Sequence, residues 1–429
     1  MQLNEQFYPG IRETVYSAVL PSGLTMLMMP RKGWSRYYGV LMTRYGSNDS
    51  RFLIPGQSEV REVPDGIAHF LEHQLFAKPW GSADERFAEW GASSNAYTSW
   101  TRTAYLFSTT DHFQDCLRFL VDFVYDPQFS EQGTLREKGI IEQEIDMFLD
   151  EPAWQVHLNL LQGLFHDHPI RRDIAGTTES VGRVSKDLLD LCYQTFYQPS
   201  NMVLVVVGGI DAQEVHRLVA GQMADKTFAP PANIERAFPS EPESINQAET
   251  TVRAGVSTPL FALGFKDREV GCTGESLFKR QVVTELLLHA ALGKSSSLYQ
   301  TLYADGLIDG GFESSYAGHP DHGYTVIQGE SKDPSRLKSR ICEALESFQR
   351  LGISEADFQL SRKALHGQFL QSLNGLENTA NDLADCFFDG VDFLRYPDVL
   401  NGVTLADVNR RLREHLRPEW AAFSQVLPL

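Results

Sequence analysis

From Asp65 to Phe76 the chain reads DGIAHFLEHQLF, with His69 and His73 four residues apart and Glu72 just before the second histidine. Positions four apart on a helix lie on one face, so the two imidazoles can be presented to one metal ion. Glu72, three residues after His69, lies on the same side and can reach a water on that metal. The H-x-x-E-H spacing is the reversed form of the H-E-x-x-H zinc motif. Two neutral imidazoles suit Zn2+, and a catalytic zinc site takes three protein ligands and leaves one position open. The stretch therefore calls for a helix whose histidine face meets a second element carrying the third ligand.

About seventy residues on, REKGIIEQEIDMFLDEP predicts a helix from about Thr134 to Leu149. Glu137 and Glu144 stand two turns apart on one face, whereas Glu142 falls on another and reads as solvated. Ile140, Ile141 and Ile145 read as a core-facing stripe. An acidic helix by itself is an ordinary solvated surface, but this spacing downstream of the histidines is not neutral. Glu144 can complete a His2Glu set, and Glu137 can hydrogen-bond a ligand or the metal's water from behind.

The remaining sequence sets the frame. The 22 residues KTFAPPANIERAFPSEPESINQ (226–247) carry four prolines and no apolar period, and read as a linker between residues 1–225 and 248–429. In the first half Ser22–Pro30 and Tyr37–Tyr45 read as paired strands, Asn95–Ser108 as two strands, Asp111–Val124 as a helix, and Met202–Gly209 as a buried strand. Long helices are expected near Thr273–Leu292, Asp333–Leu351 and Glu355–Leu373. Both halves share a strand–helix–strand rhythm, so the fold class is α+β with two similar domains. A net charge of −18 argues against nucleic acid or an anionic membrane as partner. The five cysteines (Cys116, Cys192, Cys272, Cys342, Cys386) are scattered without a CxxC pair, as in a reduced cytoplasmic protein. No apolar run approaches the length of a membrane helix, and the N-terminal residues carry no secretory pattern.

With HFLEH and the spaced acids in place, the chain resembles the M16 (pitrilysin) family of zinc metallopeptidases. Further segments carry the likeness: SGLTMLMMP, RYGSNDS, SNAYTSWTRTAYLFS, HPIRRDIAGTTESV and FYQPSNMVLVVVGGID. It is similar to the short bacterial members that work as two-subunit peptidases. The resemblance implies two domains of the LuxS/MPP-like metallohydrolase type forming half a clamshell, with His69, His73 and Glu144 as ligands of Zn2+. It further implies Glu72 as general base, Glu137 as the supporting acid, and the strand at Asn95, Ala96, Tyr97 and Thr98 as a free edge to which a peptide substrate adds, with Asn95, Ala96 and Tyr97 as the substrate-binding residues. Zinc then acidifies water and polarises the scissile carbonyl, while Glu72 moves the proton to the leaving amine.

One segment departs from the family pattern. Active members use an Arg and a Tyr from the second domain to hold the carbonyl. Here GKSSSLYQTLYADGLIDGGFESSY places Tyr303 and Asp309 at those positions. The expectation is a heterodimer in which a homologous, metal-free subunit supplies the missing pair. The alternatives are a homodimer or a catalytically inactive peptide-binding or scaffold subunit. Other features carry less chemistry. His157, His166 and His168 read as a helix end and loop, and His319 and His322 in GHPDHG as a solvated turn. Gly208-Gly209 lacks a nucleotide-binding context, and Phe107, Phe113, Phe119 and Phe123 read as core.

Overall fold

The computed structural model describes residues 3–230 and 233–429. Met1 and Gln2 of the N-terminal reading, and Pro231 and Ala232 of the expected linker, lie outside the described residues. The chain divides into two compact units that interleave in sequence. One takes the residues up to Asp146, Arg172–Phe238 and Ser372–Phe388; the other takes Met147–Arg171, Pro239–Gln371 and Asp389–Leu429. This division differs from the contiguous halves 1–225 and 248–429 in the two exchanged segments.

The first unit is built on a seven-stranded sheet in the order Asn4–Tyr8, Glu13–Val19, Thr25–Pro30, Met202–Gly208, Tyr37–Thr43, Thr103–Thr109, Ser93–Thr98. Thr25–Pro30 and Tyr37–Thr43 are therefore not paired with each other, contrary to the sequence reading. Met202–Gly208 enters between them, parallel to the first and antiparallel to the second. The physical reason is its seven-residue buried run, whose two rows of backbone groups both need partners away from water. Leu204 and Val206 face a core shared with helices Ile67–Phe76, Phe113–Val124, Lys186–Phe196 and Ala212–Ala224. The opposite face is covered by Leu376–Phe388, a helix contributed from the far part of the sequence.

The second unit carries a five-stranded sheet ordered Glu249–Ala254, Ala421–Pro428, Leu260–Lys266, Gly323–Glu330, Glu313–Gly318. Numbered within its own unit, this order is first, last, second, fourth, third, with the first and last strands parallel. The five strands from Thr25–Pro30 to Ser93–Thr98 in the first unit's sheet follow the same order with the same parallel pair. The common rhythm thus reflects one topology used twice. Helix Pro152–Leu164, from the early part of the chain, covers Ala421–Pro428 and Leu260–Lys266. That place on its sheet matches the place of Leu376–Phe388 in the first unit.

The expected linker is less featureless than its composition implied. Glu235–Arg236 pairs with Phe52 and Leu53 in a small three-stranded sheet, and the Arg236 Nε donates to Asp49 Oδ1 at 2.6 Å. Glu241 accepts the backbone N–H groups of His166, Asp167 and His168.

Candidate metal centre

Helix Ile67–Phe76 starts where its backbone is held from outside. Gly66 precedes it at φ +87°, and a Cβ there would lie 2.2 Å from the carbonyl oxygen of Ala175. Only glycine accepts both the left-handed backbone and that approach. The Arg172 guanidinium pairs with Asp65 at 2.8 Å, and Ser180 Oγ donates to the Asp65 carbonyl at 2.8 Å. The segment Arg172–Ser180 thereby fixes the start of the histidine helix.

The structure brings His69, His73 and Glu144 together, with Glu144 on helix Glu131–Leu149. Both Nε2 atoms face the same carboxylate oxygen: Glu144 Oε2 lies 3.4 Å from His73 and 3.8 Å from His69. These separations exceed hydrogen-bond length. Two donors each about 2.0–2.1 Å from a tetrahedral cation stand roughly 3.3 Å apart, so the spacing fits ligands around an ion. On the other side of its ring, His73 Nδ1 meets Glu137 Oε1 at 3.1 Å, and Gln74 Nε2 donates to Glu137 Oε2 at 3.1 Å. An Nδ1–H donated to a carboxylate leaves the Nε2 lone pair free for metal. Gln74 was not singled out in the sequence; standing next to His73 and buried, it anchors the second oxygen of Glu137.

The electrostatics favour a cation. Burial, and next the charge of His73, lowers His69 to about 3, which keeps that imidazole neutral. Burial also works to lower His73, but its hydrogen bond to Glu137 and the charges of Glu72, Glu144 and Glu137 outweigh it, and the net shift is upward. The carboxylates thus draw positive charge to this point. Burial pushes Glu72 up to about 7, against the lowering effects of the Thr98 hydrogen bond and the His73 charge. A carboxyl poised there can take and return a proton near neutrality.

Glu72 faces strand Ser93–Thr98, the end strand of the sheet. Thr98 Oγ1 donates to Glu72 Oε2 at 2.6 Å. Asn95 is exposed and Ala96 half-buried along this strand. The Tyr97 hydroxyl instead donates to Asn381 Oδ1 on helix Leu376–Phe388, so its side chain serves the opposite face of the sheet. A cleft of about 740 Å3 is lined by Glu72, His73, Phe76, Asp84, Ala96 and Arg136 among others. Two helix readings need correction. Ile140 is 46% exposed while Ile141 and Ile145 are buried, because one residue of offset turns a side chain by about 100°. Glu142 is half-buried rather than solvated.

The secondary histidines also differ from expectation. His168 and His322 are each only 2% exposed, so His322 is not a solvated turn residue. His168 Nε2 lies 3.1 Å from one Asp321 oxygen and His322 Nδ1 lies 3.2 Å from the other. His168 Nδ1 accepts the Ile170 N–H, which leaves the proton on Nε2 and no lone pair for a cation. This group is a buried hydrogen-bonded cluster that ties Phe165–Arg171 to the turn at His319–His322. At the positions of the missing pair, Tyr303 is 57% exposed and stacks on Tyr299. The Asp309 carboxylate accepts the Gly311 N–H.

The sequence matches the family described as "Insulinase (Peptidase family M16)" over residues 59–178 and "Peptidase M16 inactive domain" over 183–365. It is 38% identical over 421 residues to a Bacillus subtilis protein described as an uncharacterized zinc protease, YmfH, with 98% of each chain covered. It is 25% identical over 345 residues to the mitochondrial-processing peptidase subunit beta of Lentinula edodes, covering 76% of this chain and 73% of that one. A crystal structure of an M16-like peptidase from Alicyclobacillus acidocaldarius matches with a TM-score of 0.95 at 38% identity, over 99% of this chain and 100% of that one. Pitrilysin has the same fold at a TM-score of 0.72 and 16% identity, over 99% of this chain and 46% of that one.

Proposed function

The chain belongs to the M16 peptidase family, and on that premise we propose that it is the zinc-bearing subunit of a metalloendopeptidase acting on unfolded peptides or small proteins. The observation that carries this reading is the convergence of His69 Nε2, His73 Nε2 and Glu144 Oε2 beside a buried Glu72. His69, His73 and Glu144 would hold the zinc, which supplies the Lewis acidity that lowers the pKa of water and polarises the scissile carbonyl. Glu72 takes the proton of the attacking water and hands it to the leaving amine. Glu137 keeps His73 in the tautomer that offers Nε2. The substrate adds along Asn95–Tyr97 as an extended strand, gripped through main-chain hydrogen bonds with little demand on its sequence.

A homologous second subunit is proposed to supply the Arg/Tyr pair, since Asp309 accepts hydrogen bonds where a donor is wanted. The five cysteines form no disulfide, which fits a reducing compartment, and the cytoplasm is the proposed location. No helix among the described residues is long and apolar enough to cross a membrane. Asp309 also favours a second reading, a peptide-binding subunit that does not cleave.

Zinc content and cleavage of an unstructured fluorogenic peptide, with and without a homologous chain bearing the pair, separate these readings. The expected result is about one zinc per chain, poor hydrolysis alone and strong hydrolysis with the partner. Glu72→Gln should keep zinc and lose nearly all turnover, and His73→Ala should lose the metal. Strong cleavage by the lone chain removes the partner requirement. Zinc binding without cleavage under either condition favours the non-cleaving reading.

A further inference from the structure

We propose that Thr98 is the positioning residue for Glu72, joining the strand that grips the peptide to the carboxylate that moves the proton. The proposal deepens the peptidase reading and rests on it. Glu72 is 8% exposed, and its hydrogen bond from Thr98 is the one it makes among the described residues. A glutamate side chain has three rotatable bonds, so without that bond little holds its carboxylate toward the peptide-binding edge.

The surroundings of Thr98 leave Glu72 as the acceptor of its proton. Thr103 is opposite Thr98 in the strand pairing, fully buried, with the two Oγ1 atoms 3.4 Å apart. Thr103 donates its own proton to the Tyr45 carbonyl at 2.8 Å, so toward Thr98 it can act only as acceptor. The single proton of Thr98 goes to Glu72, 2.6 Å away, and not to Thr103, whose oxygen at 3.4 Å lies beyond hydrogen-bond length. The alternation of the strand puts Ser94, Ala96 and Thr98 on the side of Glu72 and Tyr97 on the other, so a peptide added to this strand is registered against the base through Thr98.

The test compares Thr98→Val, Thr98→Ser and Glu72→Gln in the zinc-loaded protein with its partner present. Thr98→Val should lower kcat about 10–100-fold with KM within about twofold and zinc per chain unchanged. Thr98→Ser should restore kcat to within a few-fold. Peptide affinity measured by calorimetry in the Glu72→Gln background should not change when Thr98→Val is added. A crystal structure of Thr98→Val should find the Glu72 carboxylate turned away from the strand. Wild-type kcat in Thr98→Val, loss of zinc, failure of the serine to rescue, or an unmoved carboxylate would each overturn the proposal. Turnover by Glu72→Gln would instead overturn the general-base reading, and the carboxylate position in the crystal stands independently of it.

Discussion

Glu137 meets the candidate metal centre through its contact with His73. Its two oxygens are divided between the His73 Nδ1 and the Gln74 amide, and it is buried. Glu137→Gln keeps the shape and removes the charge that holds the His73 tautomer. Zinc affinity in a chelator competition should fall about 10–100-fold; an unchanged affinity would show that His73 needs no support. At this scale the sequence was informative where one element carries the pattern. His69, Glu72 and His73 share a helix face, as do Glu137 and Glu144, and the spacing reads directly. Gln74 and Thr98 were not legible in that way, because their roles depend on which element lies across from them. For Thr98 a signal was present: it is two residues beyond Ala96, on the same side of a strand already expected to line the site.

Among elements, the histidine helix depends on a start that no helix pattern reveals. Gly66→Ala would force a Cβ into the Ala175 carbonyl at a positive φ. A loss of about 1–3 kcal/mol or more in urea denaturation is expected, together with weakened zinc binding. The turn at His319–His322 yields a pH prediction. Burial lowers His322 to about 4, despite the Asp321 carboxylate, with His319 and His168 adding to the lowering. Between about 6.5 and about 4 the unfolded chain takes up a proton that the folded one does not, so stability is present above that window and falls as pH drops through it. Burial works to raise Asp321, but its bonds to His168 and His322 hold it well below the usual carboxylate range. Melting temperatures recorded from pH 7 to pH 4.5 should fall less steeply in His322→Asn than in wild type, and equal slopes would contradict this assignment. The turn looked solvated in the sequence because Gly and Pro flank it. Its burial comes from His168, about 150 residues away in sequence, which local composition cannot register. Likewise Thr25–Pro30 and Tyr37–Thr43 look like a hairpin until Met202–Gly208 claims the place between them.

At the level of the whole molecule, one topology occurs twice, and each sheet is covered by a helix from the other half of the sequence. The repeated rhythm was legible because apolar periodicity is local. The exchange was not, since Pro152–Leu164 and Leu376–Phe388 look like any amphipathic helices. Residues 1–225 alone would lack Leu376–Phe388 and leave Val203, Val205 and Val207 uncovered. That fragment should be insoluble or lack a cooperative thermal transition, whereas a sharp transition would mean the covering helix is dispensable. The duplication also locates what the second unit lacks. Helix Gly274–Leu292 stands between the second and third strands of its sheet, where Ile67–Phe76 stands in the first, and has His289 as its single histidine. The chemistry proposed for this chain therefore rests in one unit.

The most direct measurement is an anomalous-difference map at the zinc edge from crystals of the full chain grown with zinc. The account predicts one strong peak about 2.0–2.2 Å from His69 Nε2, His73 Nε2 and a Glu144 oxygen, with none at His168, Asp321 and His322. An empty map at the histidine pair, or a peak that leaves Glu144 uncoordinated, would contradict it.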